Sequence, residues 1–97
     1  MIIITGRVTG TPETIDELAA SLEHVRRSRG EPGCISHAVH RDAENPLRLV
    51  FFERWESPEA VRAHFALPAS GQFVRTATAL AASPPSLELF TASPASL

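Results

Sequence analysis

Leu47-Arg48-Leu49-Val50-Phe51-Phe52-Glu53-Arg54-Trp55 reads as a strand with apolar side chains on both faces. By the two-residue repeat of extended chain, Leu49, Phe51 and Trp55 share one face with Glu53. Val50 and Phe52 share the other with Arg48 and Arg54. A strand apolar on both sides needs cover on both sides. Upstream, the loop Asp42 to Pro46 separates this run from a second extended run, Cys34 to Arg41, and the pair reads as a hairpin. Downstream, Ser57-Pro58-Glu59 is an N-cap and first-turn signature. It opens a helix through about Phe65 whose buried stripe is Val61, Phe65 and His64.

Further out, Ile2 to Thr9 is short and β-branched, which suits a strand. Thr11-Pro12 then starts a helix carrying Ile15, Leu18, Leu22 and Val25 at helical spacing, with acids early, arginines late and Gly30 as its stop. Leu67-Pro68 ends the second helix. Ser70 to Ala82 continues as a third, with Phe73, Ala77 and Leu80 on one side, and Leu87 to Thr91 makes a last short strand after Pro84-Pro85. Strand, helix, strand, strand, helix, strand is the α+β, ferredoxin-like βαββαβ order, an antiparallel sheet with helices on one face. The other face then carries Val50 and Phe52, too apolar to leave wet. A second copy packed sheet to sheet would cover it, so a homodimer is expected.

With 97 residues the chain makes one domain, read as residues 1–92 with a frayed tail at 93–97. A domain this small buries only about 60–70% of its unfolded surface, a further reason for association. A net charge of -2 gives no electrostatic reason to expect nucleic acid or an anionic membrane as partner. The opening Met1-Ile2-Ile3-Ile4 lacks a basic start and is too short for a signal peptide. No apolar run nears the ~18 residues of a membrane span. The lone Cys34 forms no internal disulfide, and a cytoplasmic location is expected.

The sequence has no Gly-rich phosphate loop, paired-Cys motif, His-Glu-x-x-His or Gly-x-Ser-x-Gly. His37 and His40 lie three apart on one strand and so point to opposite faces, which removes them as a metal pair. Cys34 after Gly33 is a packing thiol or a nucleophile, packing being the usual role of such a residue.

The segment Glu53-Arg54-Trp55-Glu56-Ser57-Pro58-Glu59-Ala60-Val61-Arg62-Ala63-His64-Phe65 runs off a strand into a helix with the only Trp, a Glu of buried parity and an inward His. With Glu31-Pro32-Gly33-Cys34 upstream, it resembles the antibiotic biosynthesis monooxygenase family: a Pro-Gly-Cys turn, a hairpin strand ending Glu-x-Trp, and a helix containing Ala and His. The resemblance covers about Ile3 to Phe90. It implies a dimeric α+β barrel with a pocket between sheet and helices in each subunit. In better-known relatives it implies oxidation of quinols or phenolic anthrones by molecular oxygen without flavin, haem or metal. Other relatives degrade haem or process small signalling molecules, so family alone does not set the reaction. The first strand lacks the Asn of the haem-degrading relatives, which argues against haem breakdown. Phe51 and Val61 stand near the places of the Asn and Tyr of the anthrone-oxidising relatives, and Arg75 matches a later-helix Arg loosely.

The expected substrate is therefore a small phenolic or quinol-type aromatic, with molecular oxygen as co-substrate and no cofactor. His64 and Trp55 are the candidate catalytic residues, His64 as the base for a phenolic proton and Trp55 as a stacking platform. The plainer readings are a His satisfied by a carbonyl or by Glu53, and a Trp that fills the core. Glu53, Phe51, Val61, Phe65, His37 and Arg75 are the candidate substrate-binding residues, with no metal ligand among them. Glu53 either orients His64 or pairs with an Arg. His37 faces the site if Arg41 pairs with Leu47, and a one-residue shift presents His40 instead. The absence of Tyr keeps open a dimeric ligand-binding module without turnover, and an isomerase of a small carbonyl compound is a third possibility.

Overall fold

A computed structural model describes residues 1–97 and places the two-faced strand in the interior of the sheet. The elements are β1 (Ile2–Thr9), α1 (Ile15–Ala19), α2 (Leu22–Ser28), β2 (Cys34–Arg41), β3 (Arg48–Trp55), α3 (Pro58–Ala66), α4 (Pro68–Leu80) and β4 (Ser86–Thr91). The sheet is antiparallel in the order β2-β3-β1-β4, the ferredoxin-like arrangement. Alternation decides which side chains the helices cover. Ile2, Ile4 and Val8 of β1 and Leu49, Phe51, Glu53 and Trp55 of β3 are buried, and the register places Ile4 beside Glu53 and Gly6 beside Phe51. On the other face no helix packs, and Phe52 and Phe90 are 39% and 48% exposed.

The first helix departs from its expected form. Thr11 does cap the chain, its Oγ1 accepting from the Thr14 N–H at 3.2 Å, but the residues after it form a turn and the helix begins only at Ile15. It is then interrupted between Ala19 and Leu22. There the Ser21 N–H donates to the Leu18 carbonyl and the Glu23 N–H to the Ala20 carbonyl, three residues back. This is 3₁₀ tightening, and Ile15, Leu18 and Val25 on either side of it share a core with Leu49 and Phe51. The cap of α3 forms as expected: the Ser57 Oγ accepts from the Ala60 N–H at 3.2 Å, with Pro58 in the first turn. Phe65 does not join the buried stripe of α3. Val61 and His64 face inward, and Phe65, one residue round the helix, is 39% exposed. No helix is long and apolar enough to cross a membrane.

Two glycines shape the space between sheet and helices. Gly6 occupies a helix-facing position between Ile4 and Val8, so β1 contributes no side chain there and a cavity opens above Phe51. Gly33 has φ 82°, and a Cβ on it would lie 2.5 Å from the Cβ of Ala60. The turn Glu31–Gly33 therefore docks directly on α3. The Gly33 carbonyl, accepting from the Glu56 N–H at 2.8 Å, ties that turn to the end of β3.

Candidate functional site

Because His64 follows Ala60 by one helical turn, the docking of Gly33 on Ala60 brings Glu31 to His64. The Nδ1 of His64 lies 2.8 Å from Oε1 of Glu31, and the imidazole is 3% exposed. A carboxylate at this distance accepts from Nδ1–H, so that in the neutral form of the ring the lone pair is on Nε2. That Nε2 is 3.9 Å from Oε1 of Glu53. Glu53 is itself buried, its Oε1 accepting from the Trp55 indole N–H at 3.0 Å and its Oε2 lying 3.6 Å from Nε2 of His37. Burial pushes the Glu53 carboxyl up from its ordinary value, against the lowering effects of the Trp55 hydrogen bond and the His64 charge.

His37 is 4% exposed, and its Nδ1 has no hydrogen-bond partner in the protein. Burial, reinforced by the charges of His64, His24 and Arg29, pushes its pKa down to about 3, so its ring is neutral at ordinary pH. Arg29 approaches from the carbonyl side, its Nε–H donating to the His37 carbonyl at 2.9 Å. His24 of α2 completes a triangle of imidazoles, its ring centroid 6.3 Å from that of His37 and 5.8 Å from that of His64. It stacks on Phe73 of α4 at 4.4 Å, and burial lowers its pKa too.

These groups line one side of a cavity of about 230 Å³ between the sheet and α2, α3 and α4. Its floor is Gly6, Phe51, Glu53 and His37. His24, His64, Phe65, Phe73, Val74 and Ala77 wall it, and Arg7, Ser86 and Leu87 lie on the β1–β4 side. Ser70, 2% exposed at the start of α4, also lines it with an unpartnered Oγ. The cavity thus joins an apolar, partly aromatic lining to a few convergent polar groups, the usual character of a small-molecule site. No group of three or more His, Cys, Asp or Glu side chains is placed to hold a metal ion.

Of the expected site residues, His64, Glu53, Phe51, Phe65 and His37 meet at this cavity. The hairpin pairs Arg41 with Leu49, two residues from the expected register. A two-residue shift preserves the face, so His37 stands opposite Glu53 and His40 stays on the open side.

Three expectations need correction. Trp55 is fully buried behind Glu53 among Ile2, Ile4 and Val61, and offers no face to a ligand; it acts on the site through its N–H. Val61 points into that same cluster, because on α3 it lies three residues from His64 toward the β4 side. Arg75 is exposed and donates to Oε1 of Gln72 at 3.2 Å, on the outer side of α4.

Cys34 packs against the Trp55 cluster, and burial raises its thiol, which fits a structural role. Glu31, His24, Ser70 and Phe73 were missing from the expected site. Glu31 belongs to the recognisable Glu-Pro-Gly-Cys turn, and His24 lies three residues from Ser21 and four from Ser28 on the inner side of α2. Nothing in the local pattern marks Ser70.

A family model described as antibiotic biosynthesis monooxygenase matches residues 1–76. An uncharacterized protein of Synechocystis is 31% identical over 90 residues. That alignment takes in 92% of this chain and 61% of the relative, so the chain spans about three fifths of that protein's length. A solved structure described as a proposed antibiotic biosynthesis monooxygenase from Deinococcus radiodurans superposes with a TM-score of 0.92 at 26% identity, covering 100% of this chain and 97% of that one. A similarly described structure from Chloroflexus aurantiacus gives 0.78 at 25% identity, covering 98% and 95%.

Proposed function

On the premise that this chain belongs to the antibiotic biosynthesis monooxygenase family, we propose that it oxidises a small phenolic or quinol-type aromatic with molecular oxygen, the substrate itself supplying the electrons. The observation that carries the reading is the Glu31–His64 pair at the wall of an apolar cavity, with Nδ1 held by the carboxylate at 2.8 Å. A neutral imidazole so oriented presents Nε2 as a general base for a hydroxyl proton. The resulting anion gives one electron to oxygen, and the two radicals join through a new bond between a ring carbon and oxygen. The hydroperoxide formed there loses water to leave a quinone, so that one oxygen atom enters the product and the other leaves as water. Phe51, Phe65 and Phe73 bound the ring, and the apolar lining keeps water from the radical pair. Trp55 positions Glu53 instead of touching the substrate.

Oxygen-electrode uptake with a panel of quinols and anthrones tests this, without added cofactor and against autoxidation controls. Uptake matched by quinone formation is expected, falling roughly 10²-fold or more in His64→Ala and less in Trp55→Phe. Turnover unchanged in both variants would refute the assignment. Quenching of the single Trp by these aromatics with no oxygen uptake would replace it with a ligand-binding module. Conversion of a carbonyl compound without oxygen dependence would replace it with an isomerase.

A further inference from the structure

The fold accounts for the glycine at position 33 by its φ of 82°, and for that at position 10 by a Cβ that would lie 2.7 Å from Cδ1 of Leu18. Gly6 has neither reason. Its backbone is outside the left-handed region. The three nearest neighbours of a Cβ there would be the Ser86 carbonyl oxygen at 3.5 Å, Cδ1 of Leu87 at 3.6 Å and Cβ of Phe51 at 3.7 Å. All three are ordinary contacts with the flanking strands, and no helix atom comes closer. Glycine inside a strand weakens it, and marks a bulge, a tight bend, or a place where a ligand or another backbone comes close. The pairing of Gly6 with Phe51 on β3 and with Leu87 on β4 runs on unbroken to either side, so no bulge accounts for it. Gly6 faces the helices between Ile4 and Val8, and on that side lies the cavity.

We propose that Gly6 is a specificity-determining residue, bare of a side chain so that the far ring of a two-ring substrate can lie against the β1 backbone. The inference deepens the monooxygenase reading and takes from it the substrate hydroxyl at His64. Glu53, beside His64, pairs with Ile4, and Phe51 pairs with Gly6. The two levels are two residues, about 7 Å, apart along the sheet. A hydroxyl at the His64 end therefore sends the rest of a flat molecule over Phe51 toward Gly6, where Leu87 makes the surroundings apolar. A cavity of about 150 Å³ holds one benzene ring, and by carbon count two fused rings need about 250 Å³. The cavity of about 230 Å³ is thus matched to two rings with nothing to spare, and a methyl group at position 6 takes space the second ring needs.

Calorimetric titration with 1-naphthol and phenol under nitrogen reads this contact without turnover. The wild-type protein is expected to bind 1-naphthol at least about tenfold more tightly than phenol. Gly6→Ala should lose roughly tenfold or more in 1-naphthol affinity, and Gly6→Val should lose more, while phenol affinity changes by less than about twofold. Because the backbone and the space both admit a Cβ, Gly6→Ala should hold its Tm or raise it by roughly 2–8 °C. A fall in Tm would make the glycine a requirement of the fold and overturn the proposal. Equal losses for the two probes, no loss for either, or a wild-type protein that binds neither or both alike would overturn it too. With oxygen uptake intact, those results would leave the monooxygenase reading standing. If the naphthol contrast appears while no quinol or anthrone drives oxygen uptake, the activity reading fails alone and the role of Gly6 holds.

Discussion

Acid should destabilise this fold chiefly through His37, and the size of the effect follows from its burial. Its pKa is pushed from 6.5 to about 3 in the folded chain. Below pH 6.5 the unfolded chain binds a proton that the native chain refuses, so stability is fully present above 6.5 and is lost as pH falls toward 3. Each pH unit in that window removes about 1.4 kcal/mol, so moving from neutrality to about pH 4.5 costs about 3 kcal/mol through this residue. Domains of this kind have only about 5–15 kcal/mol in all.

His24, also lowered by burial, acts with the same sign. Glu53 acts with the opposite one: its raised pKa gives stability that is full below about 4.5 and lost as pH rises through the folded value. The His37 contribution is therefore read by difference. Urea unfolding of the wild-type protein and His37→Gln, at one protein concentration, should give stability curves that diverge in slope below pH 6.5, by close to one proton per chain. Curves that run parallel from neutrality to about pH 4.5 would refute the reasoning, because a His that titrates alike in both states contributes no slope.

Two further perturbations test the frame around the site. Gly33→Ala places a Cβ in left-handed backbone at φ 82° and 2.5 Å from Ala60. It should cost about 2–4 kcal/mol and lower Tm by roughly 10–20 °C in a scanning calorimeter; a loss below about 0.5 kcal/mol would show that the turn does not dock as described. Phe52→Asp puts a charge on the open sheet face between Thr5 and Ala38, the face that also carries Ile3 and Phe90 and whose apolar surface we assign to a second copy of the chain. Light scattering at micromolar concentration should find the wild-type protein dimeric and the variant monomeric, and a wild-type monomer would defeat the assignment.

The element order was legible because its signals are local. Ser57-Pro58 marks the start of α3, Pro84-Pro85 separates α4 from β4, and the β1 and β3 alternation states which side chains go inward. The break between α1 and α2 was not legible, since Ile15, Leu18 and Val25 keep one stripe through the tightened turn. The site was legible only in its sheet half. Parity placed Phe51, Glu53 and, through a register shift of two, His37 on one face. Which side chain meets His64 depends instead on a contact between Gly33 and Ala60, far apart in sequence, and no periodicity reports that. Trp55 misled for a related reason. A residue at the correct parity can lie behind the site as easily as in it, and what separates Trp55 from Phe51 is that Val61 and Ala60 of α3 cover Trp55, whereas Phe51 faces the cavity.

Glu53 is the position at which patterning and function meet. Between Phe51 and Trp55, every rule of strand burial asks for an apolar side chain, and a carboxyl there must be satisfied or neutralised at a cost in folding free energy. The protein supplies both remedies: the Trp55 N–H on one oxygen, and a buried setting that favours the protonated form. The same setting keeps His37 opposite it neutral. Two groups that stability alone would replace with leucine-like residues thus stand opposite each other at the cavity, the carboxyl shifted toward its protonated form and the imidazole neutral. A break in an otherwise apolar alternation, answered on the neighbouring strand by a second polar residue at the same level, is the feature of this sequence that pointed toward chemistry.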